Sequence, residues 1–363
     1  MSGMDELLSQ ARFDSHGSFT MDPLKAIATM AQAQLPGRTY WQLKLVQAAV
    51  ASGAPALRIG PALMTFRPQE SWSLEVIEAD LLQPHPSPTR ALYHLKQALW
   101  NVAFSQKLDF TLELSEESEA LVYRAGKFER RPTRPEAGLR LTVHYPPDPN
   151  YLSEALARAY VCPIPLTLDG RRIDSLATDD PPVHLESLPG SEEVRLSLLV
   201  TQNRKLEPNY LHWIQDGIIL EREELAMGKT QLRCDLYLSA RQVATDAAGV
   251  KLVHDEVYQA RRVEAHEQLW AAIEQIRVKP PAPFRKLPAQ IVVGGVCLVA
   301  GLFSPPLVLP VGMLGMVTIS AFEGEHARKN RTSDMESLKA SARAARALWI
   351  DTSATASPDT EGT

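Results

Sequence analysis

Apolar and polar positions along the first 280 residues switch between two periods. Leu43, Val46, Ala49 and Val50 recur at three- and four-residue spacing, which predicts a helix over residues 40–52 that Gly53 ends in a left-handed cap. Asp22 and Pro23 form an N-cap and first-turn pair for an earlier helix running to about Gln34. Residues 56–59 and 63–66 are short apolar runs and read as strands, whereas 71–82 and 88–104 read as helices, the second opened by Ser87 and Pro88. Residues 108–114, 120–124 and 139–145 alternate and predict three further strands. Arg130, Arg131 and Arg134 fall between two of these strands and are expected in a solvated loop.

Pro146, Pro147 and Pro149 mark a linker, after which the pattern restarts. A short helix over 152–159 leads into an apolar run at 163–168, and Asp169-Gly170 forms a tight hairpin turn. Asp216-Gly217 repeats the device between predicted strands 210–215 and 218–222. Residues 194–202 and 231–238 alternate as well. A long helix over 255–277 carries Val263, Leu269, Ile273 and Ile276 on one side and stops at three prolines between residues 280 and 283. Trp213 and Trp270 are expected in the core, and no fixed-period repeat is present.

The next segment obeys neither period. Residues 289–322, from Ala289 to Phe322, carry no charge and are interrupted near the middle by Ser304, Pro305 and Pro306. They read as an apolar helical hairpin whose arms fall short of the roughly 20 residues that cross a bilayer as a straight helix. Gly294, Gly295, Gly301, Gly312 and Gly315 would let the arms pack closely. Arg285 and Lys286 before the hairpin, with Arg328, Lys329 and Arg331 after it, place both ends on the cytoplasmic side. Residues 332–350 form a basic helix with Met335, Leu338, Ala342, Ala345 and Trp349 near one face, suited either to an anionic lipid surface or to solvent. Residues 351–363 have the composition of a disordered tail.

Charge and cysteine content narrow the class. A net charge of -5 gives no reason to expect a nucleic-acid footprint, so no nucleic-acid partner is expected. Cys162, Cys234 and Cys297 lie far apart, which points to free thiols in a reducing compartment, and the acidic, weakly apolar residues 1–10 do not read as a secretory signal. His85, His94, His144, His212 and His254 form no helical or strand-spaced pair with a carboxylate or cysteine, so no metal site is expected. No serine sits in a nucleophile-elbow context.

The order of elements, together with the stretch from Lys44 through Leu45, Val46 and Gln47 to Ala48 and Ala49, the run Gly138-Leu-Arg-Leu-Thr-Val, and Cys162-Pro-Ile-Pro-Leu-Thr-Leu-Asp169-Gly170, resembles the GHKL superfamily of gyrase, heat-shock chaperone, histidine kinase and mismatch-repair ATPases. The resemblance covers about residues 5 to 275. It implies an α+β chain: a GHKL-like α/β sandwich over 1–149, then a ribosomal-protein-like αβ transducer domain over 150–280. The apolar hairpin (281–325) and the basic helix with its tail (326–363) complete the expected organisation. In the family, a helix bears a Glu that polarises water and, four residues on, an Asn that holds magnesium. The matching positions here are Lys44 and Ala48. An ammonium has no lone pair and a methyl cannot ligate a metal. Lys44 is then expected as a solvated charge on an amphipathic helix, or alternatively as a phosphate contact. The adenine-binding Asp and glycines of the family are missing around Phe66 and Arg67, and the glycine-rich lid is missing near Arg90 and His94.

The resemblance thus implies a degenerate nucleotide cleft near Lys44, Ala48, Phe66, Arg67, Arg90 and His94, with no catalytic residue, cofactor or metal. Three functions are compatible with it. One is a non-catalytic binding or scaffold protein at the cytoplasmic face of the inner membrane, or free in the cytoplasm, contacting an unidentified protein and membrane lipid, with self-association left open. The second is an ATP-dependent chaperone-like or signalling ATPase using atypical residues such as Glu70, Glu75 or Glu78. The third is a membrane-active protein working through its hairpin.

Overall fold

The computed structural model describes residues 27–29, 31–32, 40–83, 87–134, 138–144, 158–173, 183–186, 198–203, 205–246, 248–276 and 330–348. The chain divides into two compact units, Met1–Ala155 with Leu166–Arg171, and Leu156–Pro165 with Arg172–Thr363.

The first unit is an α/β sandwich, as the GHKL resemblance implies. Its helices are α1 (Tyr40–Ala51), α2 (Leu74–Leu81) and α3 (Arg90–Trp100), the last continued by a π-helical turn at Asn101–Ser105. Its strands are β1 (Leu57–Ile59), β2 (Leu63–Phe66), β3 (Asp109–Leu114), β4 (Glu119–Arg124), β5 (Lys127–Pro132), β6 (Leu139–His144), β7 (Leu166–Leu168) and β8 (Arg171–Ile173). They form one sheet in the order β5-β4-β3-β6-β2-β1-β7-β8, antiparallel from β5 to β1 and parallel between β1 and β7. Phe110, Leu112 and Leu114 share the buried face with Leu139, Leu141 and Val143, as the alternation predicts. On that face Phe104, Phe110, Tyr123 and Phe128 gather with ring centroids 5.0 to 6.4 Å apart. Burial, and secondarily the charge of Asp109, raises the Tyr123 phenol above its ordinary pKa.

Two expectations change here. Arg130 and Arg131 lie on β5, an edge strand, rather than in a loop. The hairpin is made possible by Ala125 and Gly126, both at positive φ (49° and 82°), which gives the two-residue turn the twist that joins antiparallel strands. Arg130 turns to the helical face and donates to Glu78 Oε2 on α2 from Nε at 2.9 Å and Nη2 at 2.6 Å. Second, α3 starts at Arg90 and not at Pro88, because the Thr89 hydroxyl accepts from Leu92 N at 3.2 Å and caps the first turn.

The second unit carries β9 (His184–Glu186), β10 (Leu198–Gln202), β11 (Tyr210–Gln215), β12 (Ile218–Glu224) and β13 (Leu232–Ser239) in the order β12-β11-β13-β10-β9, with β11 and β13 parallel. Asp216 and Gly217 sit at φ 48° and 81° in the β11–β12 turn, and Asp169 and Gly170 at 46° and 76° in the β7–β8 turn, as both Asp-Gly pairs predict. The buried Asn203 and Asn209 amides hold the strand connections: Asn203 Nδ2 donates to Glu207 O and Thr230 O, and Asn209 Oδ1 accepts from Cys234 N.

Helix α4 (Glu256–Gln275) is capped by Asp255, whose carboxylate accepts from Tyr258 N at 2.9 Å. It buries Tyr258, Ala265, Leu269 and Ala272, a seam at steps of seven, four and three residues, flanked by His266, Trp270 and Ile273. Val263 lies beyond the margin of that stripe and is 45% exposed, contrary to its expected place on the apolar side.

Residues 330–348 form α5, and its apolar face is not available to lipid. Met335, Leu338, Ala342 and Ala345 are all buried. Arg343 bonds Glu274 through Nε and Nη2 at 2.7 and 3.0 Å, and Arg346 bonds Glu267 at 2.9 Å, so α5 runs along α4. The apolar hairpin at 289–322, the N-terminal cap at Asp22 and the tail lie outside the described residues. Among the described residues no helix is long and apolar enough to cross a membrane.

Candidate functional site

Helices α1 and α3 pack side by side in the first unit and carry four of the six residues expected at the degenerate cleft. Helix α1 is not amphipathic: every residue from Tyr40 to Ala49 is buried, including Gln42, Lys44 and Gln47. Lys44 is 0% exposed, with Nζ 5.4 Å from the centre of the Tyr40 ring. The expectation of a solvated lysine is therefore overturned. A buried ammonium is tolerated when it meets donors' counterparts and an aromatic face, and Tyr40, one turn earlier, supplies the latter. Ala48, one turn later, is also fully buried.

On α3, Arg90 opens the helix and His94 follows one turn on, buried, with its ring centre 5.6 Å from that of Tyr93. Lys96 is buried as well. Its Nζ reaches Asp80 Oδ1 at 3.2 Å and lies 5.0 Å from the Trp100 ring, while Ser87 Oγ donates to Asp80 Oδ2 at 2.7 Å. Among the described residues the two amide atoms of the buried Gln42 find no hydrogen-bond partner, nor does Gln97 Oε1. Polar atoms this deep are ordinarily satisfied, so this helical layer is unusually rich in buried polar groups for a layer that offers no carboxylate on α1.

Phe66 and Arg67 belong to the sheet and the loop after β2, not to these two helices. Phe66 ends β2, buried edge-on against Trp72 at 6.0 Å, and Arg67 is exposed in a small recess with Glu70, Ser71, Trp72, Ser115 and Gly138. The carboxylates considered for atypical catalysis have structural duties. Glu70 Oε2 accepts from Trp72 Nε1 at 2.9 Å and Thr89 Oγ1 at 3.1 Å, and Glu78 is held by Arg130. Glu75 is exposed in the first turn of α2. Among the described residues no three His, Cys, Asp or Glu side chains converge on a metal-sized site.

A polar network in the second unit escaped the sequence reading. His212 Nε2 lies 3.2 Å from Asp235 Oδ1, both residues buried, and Arg233 Nε donates to Asp235 Oδ2 at 2.8 Å while also pairing with Glu207. The His212 ring stacks on Tyr237 at 4.6 Å, and the Tyr237 and Tyr160 hydroxyls are 3.4 Å apart. Burial, followed by the nearby Asp235 charge, pushes the Tyr237 phenol far above its ordinary value. His254 finds Glu221, with Nε2 3.0 Å from both oxygens. Neither histidine pairs within its own element. The signal available in sequence was the alternation of Tyr210 with His212 and of Arg233, Asp235 and Tyr237, but their meeting depends on the parallel register that sets His212 beside Tyr237.

No protein-family model matches the chain, and no curated protein matches it. Among solved structures, the N-terminal domain of a DNA repair protein is similar over 71% of this chain and 100% of its own length, at 7% identity and a TM-score of 0.39. The Aquifex aeolicus MutL ATPase domain, solved with ADP, is similar over 61% of this chain and 94% of its own, at 11% identity and a TM-score of 0.30. At these scores the likeness assigns no residue and no activity to this chain.

Proposed function

We propose that this chain is a non-catalytic binding protein, a pseudo-ATPase on a GHKL-like sandwich, that acts by contacting another protein. The observation that carries the reading is α1: where the resemblance calls for a water-activating Glu and a magnesium-binding Asn, a wholly buried Lys44 and the methyl of Ala48 stand one turn apart. Neither a general base nor a metal ligand is available from those two positions. Glu70 and Glu78 are already bound to Trp72, Thr89 and Arg130, which weighs against their recruitment as bases. The apolar, uncharged residues 289–322 support attachment at the cytoplasmic face of a membrane.

Phosphate release from ATP with magnesium, measured on the full-length chain, is expected at background. Magnesium-dependent turnover that disappears in Glu75→Gln would overturn the reading in favour of an ATPase with atypical residues. Carbonate extraction of the full-length chain beside a version lacking 289–322 tests the attachment, which fails if both partition alike.

A further inference from the structure

Strand β5 closes one end of the eight-stranded sheet, and its outer edge is open. Its residues are exposed or half-buried throughout, and among the described residues no strand other than β4 pairs with it. The phase of the β4–β5 ladder fixes which backbone groups point outward. Arg124 and Lys127 close the two-residue turn, and Thr133 N donates to Ser118 O at 3.0 Å, so Lys127, Glu129, Arg131 and Thr133 direct their backbone groups at β4. Phe128, Arg130 and Pro132 therefore direct theirs away from the sheet.

Charge and proline on an edge strand ordinarily prevent pairing, but here both are compatible with a second copy of the same strand. Placed antiparallel about a two-fold axis through Arg130, the two edges exchange N–H to carbonyl bonds between the Arg130 pair, and each Phe128 N–H meets the Pro132 carbonyl of the second copy. Pro132 contributes an acceptor, and the N–H it lacks falls at the end of the ladder. In this register Glu129 stands opposite Arg131 of the second copy, at a non-hydrogen-bonded position where side chains are closest. Within one chain Arg131 already bonds Glu129, from Nε at 3.2 Å and Nη2 at 2.7 Å. The four groups then alternate in sign around a square, so every neighbour is an opposite charge. On the other face the two Arg130 side chains come together, each neutralised by Glu78 Oε2 at 2.6 Å.

We propose that the β5 edge is a self-association surface whose partner is β5 of a second copy of this chain, joining two sheets into one. The strand is short, so the association is weak for the area it covers and is felt where copies are concentrated. The surface belongs to the sheet of the first unit and stands or falls separately from the pseudo-ATPase reading.

Sedimentation velocity of the full-length chain in mild detergent, from micromolar to millimolar concentration, is expected to show reversible conversion to a species of two chains. Glu129→Arg sets like charges opposite each other on both sides of the axis and should raise the dissociation constant about tenfold or more. Glu129→Arg combined with Arg131→Glu restores the alternation and should recover the parent value. Both positions are exposed, so neither substitution puts folding at risk. The register is read by mixing Glu129→Cys chains with Arg131→Cys chains, each also carrying Cys297→Ser: oxidation should link the mixture far more than either chain alone. A single chain at every concentration, a dimer that Glu129→Arg leaves unchanged or that the charge exchange fails to restore, or equal linking in mixed and unmixed samples overturns the proposal.

Discussion

His266 offers the sharpest test of how the second unit is held together. It sits on α4, 3% exposed, its ring edge-on to Trp270 at 5.7 Å. Desolvation lowers its pKa from 6.5 to about 4. The negative charges of Glu223 and Glu267 oppose that shift, and Arg262 adds to it. The folded protein therefore holds His266 neutral across a range in which the unfolded chain would protonate it. Because the folded pKa is depressed, the unfolded state binds the extra proton between pH 6.5 and 4, and stability falls as pH falls through that window. The full contribution is present above pH 6.5. From those two pKa values the loss reaches about 2 kcal/mol at pH 5 and roughly 3 kcal/mol below pH 4. Hydrogen exchange of α4 amides, followed by mass spectrometry at pH 8, 6.5 and 5 after correction for intrinsic exchange, reads this locally without requiring the whole chain to unfold in one step. His266→Gln removes the titration, so the variant should lose about 2 kcal/mol less than the parent between pH 8 and 5, whatever its stability at pH 8. Equal pH dependence in the two proteins, or protection that rises on acidification, would show that Glu223 and Glu267 outweigh desolvation.

Two further outcomes follow from packing and backbone geometry. Leu338 on α5 is fully buried, so Leu338→Ala should lower stability by about 2 to 4 kcal/mol, whereas the double variant Arg343→Ala, Arg346→Ala removes only exposed ion pairs and should leave the melting temperature nearly unchanged; the reverse ranking in thermal melts would mean that charge, not burial, fastens the helix. Gly138 sits at φ 98° with Phe66 O only 2.5 Å from where a Cβ would stand, while Gly126, at φ 82°, has open space around it. Gly138→Ala should therefore cost more than about 3 kcal/mol and Gly126→Ala only about 1 kcal/mol, and similar Tm shifts for the two would refute the steric argument.

Much of the local architecture was legible in the chain itself, because it depends on neighbours a few residues away. The helical spacing of Leu43, Val46 and Ala49 with Gly53 at φ 72°, the N-cap at Asp255 and the alternation along β3 and β6 all follow from short-range sterics and hydrogen bonding. So do the Asp-Gly turns, since two consecutive residues at positive φ strongly favour that dipeptide. Ala125-Gly126 makes the same turn with a weaker signature, which is why β5 read as a loop and its arginines as solvated. What tertiary structure alone decided is where charge and polarity end up. Whether Lys44 faces water depends on what covers α1 on every side, and periodicity reports only one face of a helix. Whether α5 lies on lipid or on protein depends on the buried seat that Met335, Leu338, Ala342 and Ala345 find in the folded unit, beside residues some 70 to 80 positions earlier. Asp235 reaches His212 only through the parallel pairing of β11 with β13. An amphipathic pattern states that a face must be buried; the free energy of burial is indifferent to the partner, and only the assembled fold selects one.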